Sequence, residues 1–150
     1  MLKRICTGGL AALLVLSTAP LSAQATFSDA QGHWAQEVVE QAEAYGLIQG
    51  YPDGTFGVGD EMTRSQFVTV LCRMFGWDML TPDSPSYIDC SPSAWYYSAV
   101  ETARAHNVMD PSGPFRPEDY ISRGEMAVML VRALGYDQLA QDLAGRTLPF

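Results

Sequence analysis

Apolar residues recur at helical spacing in short, well-separated stretches of this chain. Trp34, Val38, Ala42 and Tyr45 follow one another at steps of 4, 4 and 3, which predicts a helix over 33–45 with those four on one face. Phe67, Val70, Leu71 and Met74 predict a second helix beginning at Thr63. Trp95, Ala99, Val100 and Ala103 mark a third, and Met126, Met129, Leu130 and Ala133 a fourth. Gly46, Gly76 and Gly135 stand just past three of these stretches, where glycine commonly closes a helix. A short last helix is expected over 136–144, with Leu139 and Leu143 four apart. No stretch alternates strongly enough to read as a strand. The expected fold class is all-α, with long ordered loops.

The pattern is duplicated. Thr63-Arg64-Ser65-Gln66-Phe67 returns as Ser122-Arg123-Gly124-Glu125-Met126, 59 residues later. Each copy is led by a tryptophan (Trp34, Trp95), and before that by an aromatic two residues ahead of an acid (Phe27 and Asp29, Tyr87 and Asp89). Such a period means one helix–loop–helix unit used again, and stacked units bury their apolar faces on each other. The expected division is a first repeat over 26–77, a linker over 78–86 rich in Pro, Asp and Ser, and a second repeat over 87–145. Phe150 falls where the aromatic of a third copy would sit, so 146–150 read as the start of a truncated one.

Residues 1–25 carry the marks of an export signal. Lys3 and Arg4 precede the apolar run Leu10–Leu16, and Ala23-Gln24-Ala25 offers a cleavage site. The run is too short for a stable membrane span. Without that segment the chain keeps seven arginines and no lysine against seventeen acids, a formal net charge of −10. This balance excludes nucleic acid as a partner, since its phosphates need a basic surface. An anionic ligand must be held by a few placed arginines and helix ends. Two cysteines remain, Cys72 and Cys90; a bridge and two buried thiols are both open. No spacing of Cys and His suggests a metal, and no cofactor motif is present.

The duplicated motif has a clear local role. Thr63 with Gln66, and Ser122 with Glu125, read as capping boxes. Arg64 and Arg123 are not explained by capping, because the first turn of a helix disfavours a cation. Either each arginine is paired with an acid, Asp29 and Asp89 being candidates, or each helps hold a ligand carboxylate or phosphate at the helix start. Trp34 and Trp95 read as core anchors or as stacking surfaces for a sugar ring. Asp29 and Asp89 are candidates for capping the first helix or for accepting from ligand hydroxyls. The turn from Gly50 to Gly54 is either a tight connection or a close backbone approach to a ligand.

Taken together, Phe27-x-Asp29, Gly32-His33-Trp34-Ala35, the run Gly46-Leu47-Ile48-x-Gly50-Tyr51-Pro52-Asp53-Gly54-Thr55-Phe56 and Met62-Thr63-Arg64-Ser65-Gln66-Phe67 resemble an S-layer homology repeat. The second copy resembles it through Tyr87-x-Asp89, Trp95-Tyr96, Phe115-x-Pro117 and Ile121-Ser122-Arg123-Gly124-Glu125-Met126. The resemblance implies a secreted, non-catalytic cell-wall anchor at the bacterial surface, built as a pseudo-threefold bundle of repeats. It implies that secondary cell-wall polysaccharide, often pyruvylated, lies in grooves between repeats. Carried over by position, the implied ligand-binding residues are Arg64, Arg123, Asp29, Asp89, Trp34, Trp95 and Gly50. The second copy departs from the family pattern at Gly124, where Ala is usual, and in Asn107–Phe115, which lacks the Gly-Tyr-Pro-Asp-Gly turn. Two copies leave a threefold set of grooves open, to be completed by a third repeat or a second chain. A structural or protein-interaction module is the alternative. A calcium-loop version fails on spacing, since the twelfth residue is Arg64 counted from Asp53 and Ile121 counted from Asp110. No nucleophile or metal motif supports an enzyme.

Overall fold

The computed structural model describes residues 27–143; the export signal expected over 1–25 and the start of a third repeat expected over 146–150 lie outside the described residues. Five helices follow in order: α1 (Gln36–Ala44), α2 (Arg64–Phe75), α3 (Tyr97–Ala105), α4 (Arg123–Ala133) and α5 (Asp137–Leu143). The fold is all-α, in tandem helix–loop–helix units. Its one extended pairing among the described residues is an isolated antiparallel bridge between Thr63 and Tyr120.

Helices α2 and α4 begin where the capping boxes place them. The Thr63 hydroxyl accepts from the Gln66 amide and the Gln66 side chain accepts from the Thr63 amide. Ser122 and Glu125 make the same reciprocal pair. Helix α2 ends at Gly76 in the left-handed region at φ 63°, which a residue with a Cβ would resist. Thr63→Ala is expected to lower stability by about 1 kcal/mol, read as the shift in urea midpoint. Ser122→Ala should do the same.

Helices α1 and α3 begin differently. Neither has a side-chain cap. A chain of three-residue turns leads into each, Phe27 to Ala30 to His33 to Gln36 in the first unit and Tyr87 to Cys90, then Ser91 to Ala94 to Tyr97, in the second. Helix α1 therefore starts three residues later than its apolar period suggests. Trp34 and Trp95 sit in the turns before the helices, 86% and 63% exposed, so neither anchors the core. Val38 and Tyr45 are exposed too, and the buried residue of α1 is Val39. The stripe of α1 is apolar as expected, but its own unit covers the neighbouring face.

The core does not follow the sequence repeats. Val68, Leu71 and Cys72 of α2 are buried with Val100 and Ala103 of α3 and Met129 of α4 in one large cluster. Phe27, Ala30 and Val39 form a separate small one. Thus α2 packs mainly on α3, the first helix of the following unit. The α2 face is rotated from the expected one: Met74 is exposed, and Val68 and Cys72 are inside. Trp77 lies flat on His106, ring centres 4.0 Å apart, and closes the far end of this contact. Cys72 and Cys90 are free, buried thiols. Burial pushes their pKa values up to about 11 and about 12, so both stay protonated and unreactive at neutral pH.

Candidate functional site

The start of α2 is tied to the segment that leads into α4. The Arg64 amide donates to the Asp119 carbonyl at 2.9 Å, Ser65 to Pro117 at 3.0 Å, and Ile121 back to Met62 at 2.9 Å. These bonds use donors that a helix N-terminus otherwise leaves open. They also set the two capping boxes side by side. The Arg64 side chain then crosses from one unit to the other. Its Nε donates to the Phe115 carbonyl at 2.8 Å, its Nη1 bonds Glu125, and its guanidinium carbon lies 5.1 Å from the centre of the Phe115 ring.

Beside it opens a groove of about 480 Å³. Arg64, Arg116 and Arg132 line it, with Glu125, Phe115 and Met129. Three arginines thus line one groove, with the acids Asp110 and Glu125 among them, on a chain that is otherwise strongly acidic. Glu125 is shared: its Oε1 takes Arg64 and, at 3.0 Å, Arg116. The Ser122 amide and hydroxyl, then Arg64 and Arg116, hold its carboxyl below the ordinary value of 4.5. The outer pairs are looser, Arg116 to Asp119 at 3.5 Å and Arg132 to Asp137 at 3.4 Å, with both acids about half exposed. Pairs of this kind are worth little in water, so Arg132 is lightly held, while Arg116 keeps Glu125 as well.

Arg116 occupies the left-handed region at φ 58°, a conformation that costs an L-residue roughly 1–2 kcal/mol. The corresponding position in the first unit is Gly57, also at positive φ. Here a cation stands in a glycine's place. Its amide donates to Asp89 at 2.6 Å, and its side chain points to Glu125.

The structure distributes the sequence-derived candidates unevenly. Arg64 lines the groove, while Arg123 is exposed and is absent from its wall. Asp29 and Asp89 pair with neither arginine and cap neither first helix. Each reaches across 26–29 residues to clamp a loop: Asp29 accepts from the amides of Phe56, Gly57 and Val58, all at 2.8 Å, and Asp89 from those of Phe115 and Arg116. Asp89 therefore shapes the groove from behind. Gly50 is needed for an internal approach: a Cβ there would lie 2.1 Å from the Phe27 ring and 2.6 Å from the Thr55 carbonyl. Trp34 and Trp95 are exposed on the surface outside the groove. Arg116, Arg132 and the pairing role of Glu125 were not found by the motif. Only the positive-φ alignment of Arg116 with Gly57 carried a signal, and it needs coordinates to be seen.

The loop amides of Phe56, Val58 and Gly57 hold the Asp29 carboxyl below 3.8. Both Asp29 and Glu125 thus bind a proton more weakly in the folded chain than in the unfolded one. Their contribution is complete above the unfolded values and is lost as pH falls through the folded ones. The melting temperature should stay level from about pH 7 to about pH 5 and fall steeply below about pH 4, read by circular dichroism.

A sequence model of the S-layer homology domain matches residues 26–68 and 87–127. Over 146 residues the chain is 30% identical to the Middle cell wall protein of Brevibacillus brevis, covering 91% of this chain and 14% of that protein. It is 28% identical to the Surface layer protein of Brevibacillus choshinensis, over 91% of this chain and 13% of that one. It is 29% identical to an Amylopullulanase of Thermoanaerobacterium thermosulfurigenes, over 77% of this chain and only 6% of the enzyme. The chain thus spans a small part of the length of each relative. Two segments covering more than half of the chain match one family, each running into the first turns of a capped helix, α2 in one and α4 in the other; the chain belongs to the S-layer homology domain family.

Proposed function

We propose that this chain is a non-catalytic module that holds an exported protein in the bacterial cell wall, and that its groove takes a carboxylate-bearing wall polysaccharide. The observation that carries the reading is the convergence of Arg64, Arg116 and Arg132 on one groove of an acidic chain. A sugar chain decorated with carboxylates, such as pyruvate ketals, offers flat anions that guanidinium groups grip with two bonds. Arg64 is fixed by Phe115 and Glu125 and gives the groove a rigid positive wall. Arg132 has the loose Asp137 as its ion-pair partner, Arg116 holds Glu125 at 3.0 Å and Asp119 at 3.5 Å, and both line the groove that takes the ligand. The relatives support the coarser part: two are named for the cell wall or surface layer, and the same segment recurs as a small share of an enzyme, as an appended anchor would.

Arg116→Gly separates binding from folding. It relieves the left-handed conformation and removes one partner of Glu125, so the melting temperature should hold or rise slightly. Sedimentation with purified wall fragments should fall about tenfold in affinity. Retention equal to that of the unaltered chain would sink the polysaccharide reading of this groove.

A further inference from the structure

One residue of the groove wall has no local structural reason to be glycine. Gly124 stands in the first turn of α4 and lines the groove with Arg64, Arg116 and Arg132. Its backbone is helical and its φ is not positive, so the conformation does not call for glycine. Nothing crowds it either: a Cβ built there would meet the Ser122 hydroxyl at 4.0 Å and no other atom as near. Gly50 makes the contrast, since a Cβ at that position would strike the Phe27 ring. Glycine in a helix costs stability relative to alanine. The counterpart in the first unit is Ser65, which is fully buried and donates its amide to the Pro117 carbonyl. Ser65 is sealed inside, whereas Gly124 is exposed on the wall of the groove. The fold thus loses stability at 124 without using the turn or the close packing that glycine allows elsewhere.

Gly124, Val128 and Arg132 follow one another at steps of four, so they share one face of α4, and all three line the groove. At about 1.5 Å per residue they cover roughly 12 Å of wall. Along that wall come bare backbone, then a half-exposed valine, then a guanidinium. An acidic sugar has the matching parts, a ring face of C–H groups and a carboxylate. We propose that the ring lies on the Gly124–Val128 step of α4 while the arginines hold its carboxylate, and that the missing side chain at 124 sets how bulky a sugar the groove admits. The inference rests on the polysaccharide reading of this groove and adds to it a residue that acts by size alone. A side chain at 124 would fill open space at this wall and hold the ring off the helix.

Calorimetric titration of the secreted chain with purified wall polysaccharide tests this, on Gly124→Ala, Gly124→Leu and the control Ala127→Leu. Ala127 is exposed on α4 and does not line the groove. Gly124→Ala should raise the melting temperature and weaken binding about threefold. Gly124→Leu should melt no lower than the unaltered chain and weaken binding about tenfold or more. Ala127→Leu should bind as the unaltered chain does. Every arginine is kept in the Gly124 variants, so their affinity should fall with added salt as steeply as before, whereas in Arg116→Gly it should fall less steeply. A variant that is more stable yet binds worse is a result that a purely structural glycine does not give. Gly124 variants that bind as tightly as the unaltered chain, a loss matched by Ala127→Leu, or a salt dependence flattened as in Arg116→Gly would each overturn the proposal and leave the polysaccharide reading in place. An unaltered chain that binds no wall polysaccharide would overturn both.

Discussion

Arg64→Ala is expected to lower stability by about 2–4 kcal/mol and to abolish retention on wall polysaccharide. The side chain is only 10% exposed and joins the two units. Its loss leaves the Phe115 carbonyl without its donor and removes the cation from the Phe115 face. Glu125 keeps Ser122 and Arg116, which limits the cost on that side. Arg64→Lys restores charge but not the fork that serves Phe115 and Glu125 at once, so it should recover only part of either effect. Arg123→Ala makes the contrast. That side chain is exposed and unpaired among the described residues, and its removal should change the monomer's stability by no more than about 0.5 kcal/mol. Urea unfolding of the three variants, with wall sedimentation in parallel, reads all of this. Equal losses for the two arginines would mean that the groove has been misplaced.

Phe115→Ala should be more damaging still to the fold, by about 3–5 kcal/mol. Phe115 is 1% exposed and belongs to the large core shared by α2, α3 and α4. Its ring meets Tyr87 at 5.6 Å between centres and carries Arg64 on its face, while its amide is held by Asp89. Core, loop and groove therefore meet at this residue. Phe56, its counterpart, is only partly buried against the small cluster of the first unit. Phe56→Ala should cost clearly less. A urea midpoint for Phe115→Ala no lower than for Phe56→Ala would contradict the asymmetric core described here.

The features legible in the sequence were those fixed within a few residues. Both capping boxes, the glycine that ends α2 and the all-α class depend on neighbours three or four positions apart, and the sequence displays them directly. Contacts over longer spans were not legible. Asp29 and Asp89 looked like partners for the arginines because they are the nearest repeated acids, yet each closes a loop 26–29 residues away. The real partner of Arg64 is Glu125, 61 residues on, which the motif had already assigned to a cap. Trp34, Val38 and Tyr45 are apolar at helical spacing, and periodicity reports that a stripe exists without saying what covers it. On α3 the matching stripe is covered by α2; on α1 it stands open. Arg116 was invisible because its value lies in a backbone conformation that aligns it with a glycine.

Calorimetric titration of the secreted chain with purified wall polysaccharide, before and after removal of its acidic ketals, bears most directly on the groove. Binding to the native polymer should weaken about tenfold or more once the carboxylates are gone, and should weaken again with added salt. Unchanged affinity for the stripped polymer, or no binding to the native one, would contradict a groove built to hold acidic sugars.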